Sequence, residues 1–406
     1  MTDTRTSERK QGRNHVRVVA KFGSWLVRGK LGYVRRYFVL RPSFDNDAYL
    51  AANRDVAAAG LHPLLHYVEY GAREGRPLTR GATTDRMNDA TSPNSEGAAE
   101  SRQTSMEVDA IAPSLSRLVQ QKYTATEFRR FESHGVHVMP VHFYNPIPDV
   151  SQLSDEIWSR PSELVGIDMN DAEQLRLLRE VFPQFREEYE AIPTAPTEDP
   201  AEFHLNNGLF DGTDALVLYC MLRHLRPRRV IEIGSGYSSR LAARAARANG
   251  STDLVCIEPY PDEVLRAGFA GLTSLIPSKV EDVPLDLFTE LEASDVLFID
   301  SSHVVRIGSD VTYLFLEVLP RLRPGVAVHV HDIFLPFEYP RDWVTGELRF
   351  WTEQYLLHAF LAFNSAFRVL FANSYANARY PTELRETFPS APWWGGGSFW
   401  MQRRTE

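Results

Sequence analysis

The stretch Val230–Arg240, VIEIGSGYSSR, decides the fold. A short apolar run carries a carboxylate, Glu232, and runs into a glycine-spaced turn, Gly234-Ser235-Gly236, followed by Ser238 and Ser239. The serines open LAARAARANG, an alanine-rich segment closed by Gly250, which reads as a capped helix. A strand, a tight turn and a helix in that order bring backbone N–H groups and a helix N-terminus up to a ligand, and the glycines let the main chain come close to it. The stretch predicts a nucleotide-like ligand at this turn.

A dinucleotide fold asks for G-x-G-x-x-G after the strand, and here Ser239 occupies the third glycine's place. An acid two residues before the first glycine has no part in that fingerprint. E-x-G-x-G instead resembles the first motif of the class I S-adenosylmethionine-dependent methyltransferases. The resemblance implies S-adenosylmethionine as cofactor, with Gly234, Ser235 and Gly236 around its methionine moiety and Ser238 at a commonly small third position. It gives Glu232 one of two tasks, orienting the turn or meeting the ligand's ammonium. The alternative is a plain glycine turn between strand and helix.

The 406 residues predict two or three domains, and 43% hydrophobic content is enough for a core. No apolar run reaches about 18 residues, so no transmembrane helix is expected, and the N-terminus lacks a signal-peptide core. Cys220 and Cys256 both fall in apolar segments, which points to a cytoplasmic protein. A net charge of −9 argues against a nucleic-acid partner.

The charge is uneven. Residues 1–43 form a basic arm in which Lys and Arg alternate with Phe22, Trp25, Tyr33 and Tyr37. Peripheral attachment to the inner membrane face is one reading, and a solvated arm that packs on a neighbour is the preferred one. Residues 44–78 read as a small helical module. Its pattern, F-D-x-x-x-Y-L-x-x-N-x-D-V…P-L-x-H-Y…G-x-x-E-G-R, resembles a module found beside bacterial glycosyltransferases. That resemblance implies glycan modification and association with a glycosyltransferase. Asp45, Asp47, Asn53 and Asp55 fit no EF-hand and suit capping. Residues 79–107 read as a disordered linker, 108–200 as a mostly helical extension with strand-like alternation at 131–149, and 201–406 as the methyltransferase domain. Asn207 and Asp214 either reach the ligand or cap a helix.

Beyond Gly250, LVCIEP (254–259) is a buried strand ending in Glu258, 22 residues past Gly236, where an acid takes both ribose hydroxyls. Val280, Glu281 and Asp282 are expected to frame the adenine. DVLFIDSSH (295–303) reads as a central strand buried on both faces, and VAVHVHD (326–332) as an adjacent strand with His329 and His331 on one face and Asp332 at its end. At one edge they present Asp300, His303, His331 and Asp332, the candidate catalytic group, and Asp300 also borders the cofactor. The layout resembles the cation-dependent O-methyltransferases, including the catechol and caffeoyl-CoA enzymes. Carried over, Asp300 matches the first metal ligand, His303 the base and Asp332 the second ligand. Ile333 stands where the family has a coordinating Asn. A divalent metal is therefore left open, with His331 as a substitute ligand that favours a softer ion.

Trp343, Trp351, Glu353, Gln354 and Tyr355 are candidates to stack on and hydrogen-bond a sugar. FRVLFAN (367–373) and GSFWMQ (397–402) read as the closing strands. The expected fold is α/β, a Rossmann-like, doubly wound, mostly parallel seven-stranded sheet with an antiparallel last strand, preceded by a small α-helical module. The expected function is methyl transfer to oxygen of a saccharide or glycan-related acceptor with His303 as general base. A small-molecule O- or N-methyltransferase, or a non-catalytic adaptor of a glycan-assembly complex, are the alternatives, and an oligomer is compatible with either.

Overall fold

A computed structural model describes residues 49–50, 53, 63–67 and 95–405. The chain divides into two compact units, residues 1–152 with 345–348, and residues 153–344 with 349–406.

In the first unit, the basic arm and most of residues 44–78 lie outside the described residues. Among the described residues of this segment Tyr49, Leu64 and Tyr67 are buried, with the two tyrosine rings edge to face at 5.5 Å. Helices α1 (Ser95–Lys122) and α2 (Ala125–Glu132) follow, α2 opening on a capping box between Thr124 and Glu127. Residues 95–107 are helical rather than linker, because Ala, Glu, Gln, Arg and Met favour a helix even without large apolar side chains. Residues 133–149 hold no strand: Gly135, Pro140, Pro146 and Pro148 interrupt the alternation, and Val141, Phe143 and Tyr144 stand exposed.

The second unit is built on one sheet, in the order β3-β2-β1-β4-β5-β7-β6. Its strands are β1 Arg229–Ile233, β2 Asp253–Ile257, β3 Ser274–Ile276, β4 Val296–Ile299, β5 Ala327–Val330, β6 Phe367–Ala372 and β7 Phe399–Arg403. β1 to β5 pair in parallel, and β7 inserts antiparallel between β5 and β6. Every residue of β4 and β5 is buried, so their near-continuous apolar sequence reflects cover on both faces. One face is covered by α3 (Gly212–Leu225) and α4 (Tyr237–Asn249). The other is covered by the helical turns from Asp310 to Arg321, whose Val311, Leu314, Phe315, Val318 and Leu319 are buried in one stripe with Leu322 just past them, as their spacing predicts. Fully burying one such side chain contributes about 1.5–3 kcal/mol. Residues 153–200 belong to this unit, Leu177, Leu178, Phe182 and Tyr189 joining the core under α3.

The register builds the site. Ile233 pairs with Ile257 and with Ile299, and Ile299 pairs with Val330. The next residue on each strand therefore leaves the sheet at one level. Gly234 N–H donates to Ile257, Asp300 N–H to Ile233 and His331 N–H to Ile299, at 3.0, 2.9 and 2.9 Å. The order reverses between β1 and β4, which makes this edge the switch point where open α/β sheets take ligands. Among the described residues no helix is long and apolar enough to cross a membrane.

Candidate active site

Gly234 has φ +82°, and a Cβ there would stand 1.7 Å from the carbonyl oxygen of Asp300. The glycine turn and the end of β4 are thus in direct backbone contact. Gly236 is unconfined: a Cβ there would meet nothing within 4 Å, so its space is free for a ligand. Its N–H donates to Ser239 Oγ at 2.9 Å, starting α4. Glu232 is fully buried and accepts from Ser238 Oγ at 2.5 Å and from Cys256 Sγ at 3.5 Å, and burial pushes its pKa up to about 7. Of its two expected tasks, this arrangement serves the bracing of the turn. Ser235 Oγ reaches back to the Glu232 carbonyl at 3.5 Å. Glu258 is half-buried at the end of β2, with Oε1 receiving the Tyr260 N–H at 2.7 Å. Val280–Asp282 forms a 3-10 turn with Val280 buried.

A tyrosine–arginine stack beside the turn was not foreseen in the sequence. Arg240, nearly buried, lies 4.1 Å over the Tyr237 ring and pairs with Asp262 at 3.3 Å. The His204 ring meets Tyr237 edge-on at 5.6 Å, and burial together with Arg240 lowers its pKa to about 4. The i, i+3 spacing of Tyr237 and Arg240 on α4 was the available signal.

The catalytic candidates come together as expected. His303 Nε2 lies 3.4 Å from Asp300 Oδ1 and 3.6 Å from Asp332 Oδ2, while Nδ1 meets Glu353 Oε2 at 2.9 Å. His331 Nδ1 lies 3.5 and 3.6 Å from Asp300 Oδ1 and Asp332 Oδ1, and Nε2 lies 3.5 Å from Asp214 Oδ2. His303 and Asp332 both adopt left-handed backbone, at φ +62° and +59°, a conformation that costs a non-glycine residue of order 1–3 kcal/mol and clusters at functional sites. The backbone at the start of α5 (Glu353–Leu361) holds His303 in it: the N–H groups of Thr352 and Glu353 donate to the His303 carbonyl at 2.9 and 3.0 Å. Burial disfavours a charged His303, but hydrogen bonds to Asp300 and Glu353 and the Asp332 carboxylate outweigh it and raise its pKa to about 10. Burial also opposes charge on Asp300, yet the two histidines hold its carboxyl below the usual range.

The residues expected to contact a sugar divide. Glu353 and Gln354 are buried, at 0% and 2% exposure. Their place is behind the site: Glu353 orients His303, and Gln354 accepts the Phe334 N–H at 3.0 Å and donates its own backbone N–H to Tyr339 Oη at 3.0 Å. Trp351 is half-buried, its ring 4.3 Å from that of His303, and Arg349 lies over both Trp343 and Trp351 at 4.4 and 4.9 Å. Tyr355 remains exposed. Asn207 is a turn brace, its amide N–H donating to the carbonyls of His204 and Phe210 and its oxygen accepting from Leu209 and Phe210.

Asp300, His303 and Asp332 offer one ligand atom each, all within 4.8 Å of one another. A carboxylate on the far nitrogen of His303 is the usual companion of a metal-bound imidazole. The donors therefore fit a divalent ion, and the nitrogen among them suits a softer one than Mg²⁺.

Residues 231–333, which run from within β1 to just past β5 and include Gly234, Glu258, Asp300, His303, His331 and Asp332, match the family described as "Methyltransferase domain". The chain belongs to the class I S-adenosylmethionine-dependent methyltransferases. An uncharacterized protein of Archaeoglobus fulgidus is 35% identical to the methyltransferase over 162 residues, 38% of this chain and 73% of that protein. Two solved structures resemble it at low TM-score. One is the O-methyltransferase TomG from Streptomyces achromogenes, involved in tomaymycin synthesis and in complex with S-adenosylmethionine, at 18% identity, TM-score 0.30, covering 59% of this chain and 97% of that one. The other is an O-methyltransferase from Bacillus cereus in complex with S-adenosylhomocysteine, at 14% identity, TM-score 0.30, covering 58% and 98%.

Proposed function

We propose that the methyltransferase moves the methyl group of S-adenosylmethionine to a hydroxyl oxygen of a saccharide or glycan-related acceptor, with His303 removing the proton. The observation that carries this is the base and its orienter: His303 Nε2 faces the switch-point edge while Nδ1 is bound to the buried Glu353 at 2.9 Å. Methyl transfer is an in-line displacement. The acceptor oxygen forms a bond to the methyl carbon as the carbon–sulfur bond breaks, the electron pair neutralises the sulfonium, and the hydroxyl proton passes to Nε2. The protein has to align two molecules, exclude water and take one proton. Gly234 to Ser238 and Glu258 would hold the cofactor, and its methyl would be presented to the edge of β4 that Gly234 touches.

The half-buried Trp351 beside His303 supports a sugar, whose apolar ring face would stack there, and the resemblance of residues 44–78 to a module found beside glycosyltransferases points the same way. A second reading is favoured by the three convergent ligand atoms: Asp300, His303 and Asp332 would hold a divalent ion that lowers the acceptor's pKa, and His303 would then be a ligand rather than the base.

Transfer of tritium from methyl-labelled S-adenosylmethionine to a panel of methyl glycosides and nucleotide sugars, set against catechols and amines, tests the proposal. Label in a saccharide ether, undiminished by chelator, is the expected result. Label only in amines or phenols overturns the acceptor, and loss with chelator transfers His303 to the metal.

A further inference from the structure

We infer that Asp214 is the positioning residue of the catalytic edge, setting His331 and Asp332 by way of a turn of three consecutive glycines. The inference rests on the reading of that edge as the place of methyl transfer. Asp214 stands in the first turn of α3 and is 4% exposed. It does not cap its own helix, whose N-cap is Asp211. Its carboxylate instead receives the side-chain amide of Asn373 at 2.6 Å and the backbone N–H groups of Gly397 and Ser398 at 2.9 Å each. The group able to carry positive charge that it faces is His331, with Nε2 3.5 Å from Oδ2. A buried carboxylate is costly unless it is satisfied in this way.

The turn it holds has no room for side chains. At Gly396, with φ +108°, a Cβ would stand 2.1 Å from Asp214 Oδ2, and at Gly397 it would stand 2.6 Å from the Cα of Asp332. The Gly397 carbonyl accepts the Ile333 N–H at 2.8 Å, and Thr213 Oγ1 donates to the Gly395 carbonyl at 2.5 Å. The turn is therefore wedged between Asp214 and the backbone of Asp332, the residue in left-handed conformation. An imidazole can rotate, and carboxylates facing its two nitrogens hold the ring between them, so displacing one of them lets the ring turn. With Asp214 at Nε2, Nδ1 of His331 points at Asp300 and Asp332. One carboxylate thus governs a catalytic side chain directly and the backbone of its neighbour through the glycines.

The test needs no acceptor. Asp214→Asn keeps the shape and one acceptor oxygen but removes the charge facing His331. Gly396→Ala keeps the charge and displaces the turn. Protein labelled with nitrogen-15 histidine reports the ring nitrogens of His331, assigned by their loss in His331→Gln, and calorimetry gives S-adenosylmethionine affinity. In both variants the His331 signals are expected to move, while those of His303, anchored by Glu353, stay, and cofactor affinity stays within about twofold, since neither site touches the glycine turn at 234–236. Unchanged His331 signals in either folded variant overturn the inference. So does joint movement of His303 and loss of cofactor affinity, which mark a merely structural residue. Should Asp214→Asn fail to fold, Gly396→Ala decides alone. Failure of the methyl-transfer reading shows separately, as wild-type protein that does not bind S-adenosylmethionine.

Discussion

Replacing His303 by alanine is expected to lower methyl transfer by about 10²–10⁴-fold, the usual contribution of a general base, while leaving S-adenosylmethionine affinity nearly unchanged. His303 stands just past β4, and the groups proposed for the cofactor stand on β1, α4 and β2 or the turns that follow them. The two effects should therefore separate in a transfer assay and a binding titration. The pH profile adds a second readout. With a pKa raised to about 10, His303 is protonated at neutral pH and cannot take the acceptor's proton until it ionises. Its neutral fraction grows about tenfold per pH unit below that value, so the rate should climb between pH 7 and 9. His303→Ala removes the climb together with the rate. A rate that is flat over this range in wild-type protein, or a variant that retains wild-type turnover, contradicts the assigned role.

Gly234→Ala should be the most disruptive single methyl in the sheet. The clash is with backbone, 1.7 Å from the Asp300 oxygen and 2.7 Å from its carbonyl carbon, so no flexible side chain can swing aside. The left-handed φ of +82° adds about 1–2 kcal/mol for any residue with a Cβ. To make room, the ends of β1 and β4 must part, endangering the Asp300 N–H bond to Ile233 and the Gly234 N–H bond to Ile257. Together these should cost about 3–5 kcal/mol. Thermal unfolding should fall by roughly 6–20 °C, with loss of both cofactor binding and transfer. Gly236→Ala is the control: φ is −175°, an extended value any residue adopts, and a Cβ meets nothing within 4 Å. It should leave stability alone and weaken only ligand binding. Equal stability of the two variants, both near wild type, would mean that the glycine turn and the end of β4 are not in the contact described.

Much of this was legible in the sequence because parallel strands buried on both faces write themselves as apolar runs, and each ends abruptly in polar residues. EIGSG, CIEP, FIDSSH and HVHD placed Gly234, Glu258, Asp300, His303, His331 and Asp332 at one edge without any distance. Long-range partners were not legible. Glu353 comes 50 residues after His303, and Asp214 comes 117 before His331; nothing local marks either as a histidine's carboxylate. Glu353 read as a sugar contact because it sits in an aromatic stretch, yet the N-terminus of α5 turns it inward. The alternation at 131–149 misled in the opposite way, a period of two without the burial that a strand needs. The helix at 95–107 was missed because propensity without apolar periodicity resembles a linker.

In the proposed function, the turn at Gly234–Ser238 and the acid at Glu258 form one S-adenosylmethionine site against the edge that carries Asp300, His303, His331 and Asp332. Calorimetric titration of S-adenosylmethionine into wild-type protein and Glu258→Ala tests it most directly. Micromolar binding to wild type, about −8 kcal/mol, is expected, lost in Glu258→Ala, with His303→Ala binding like wild type. Undiminished binding to Glu258→Ala, or no binding to wild type with or without added divalent metal, would contradict it.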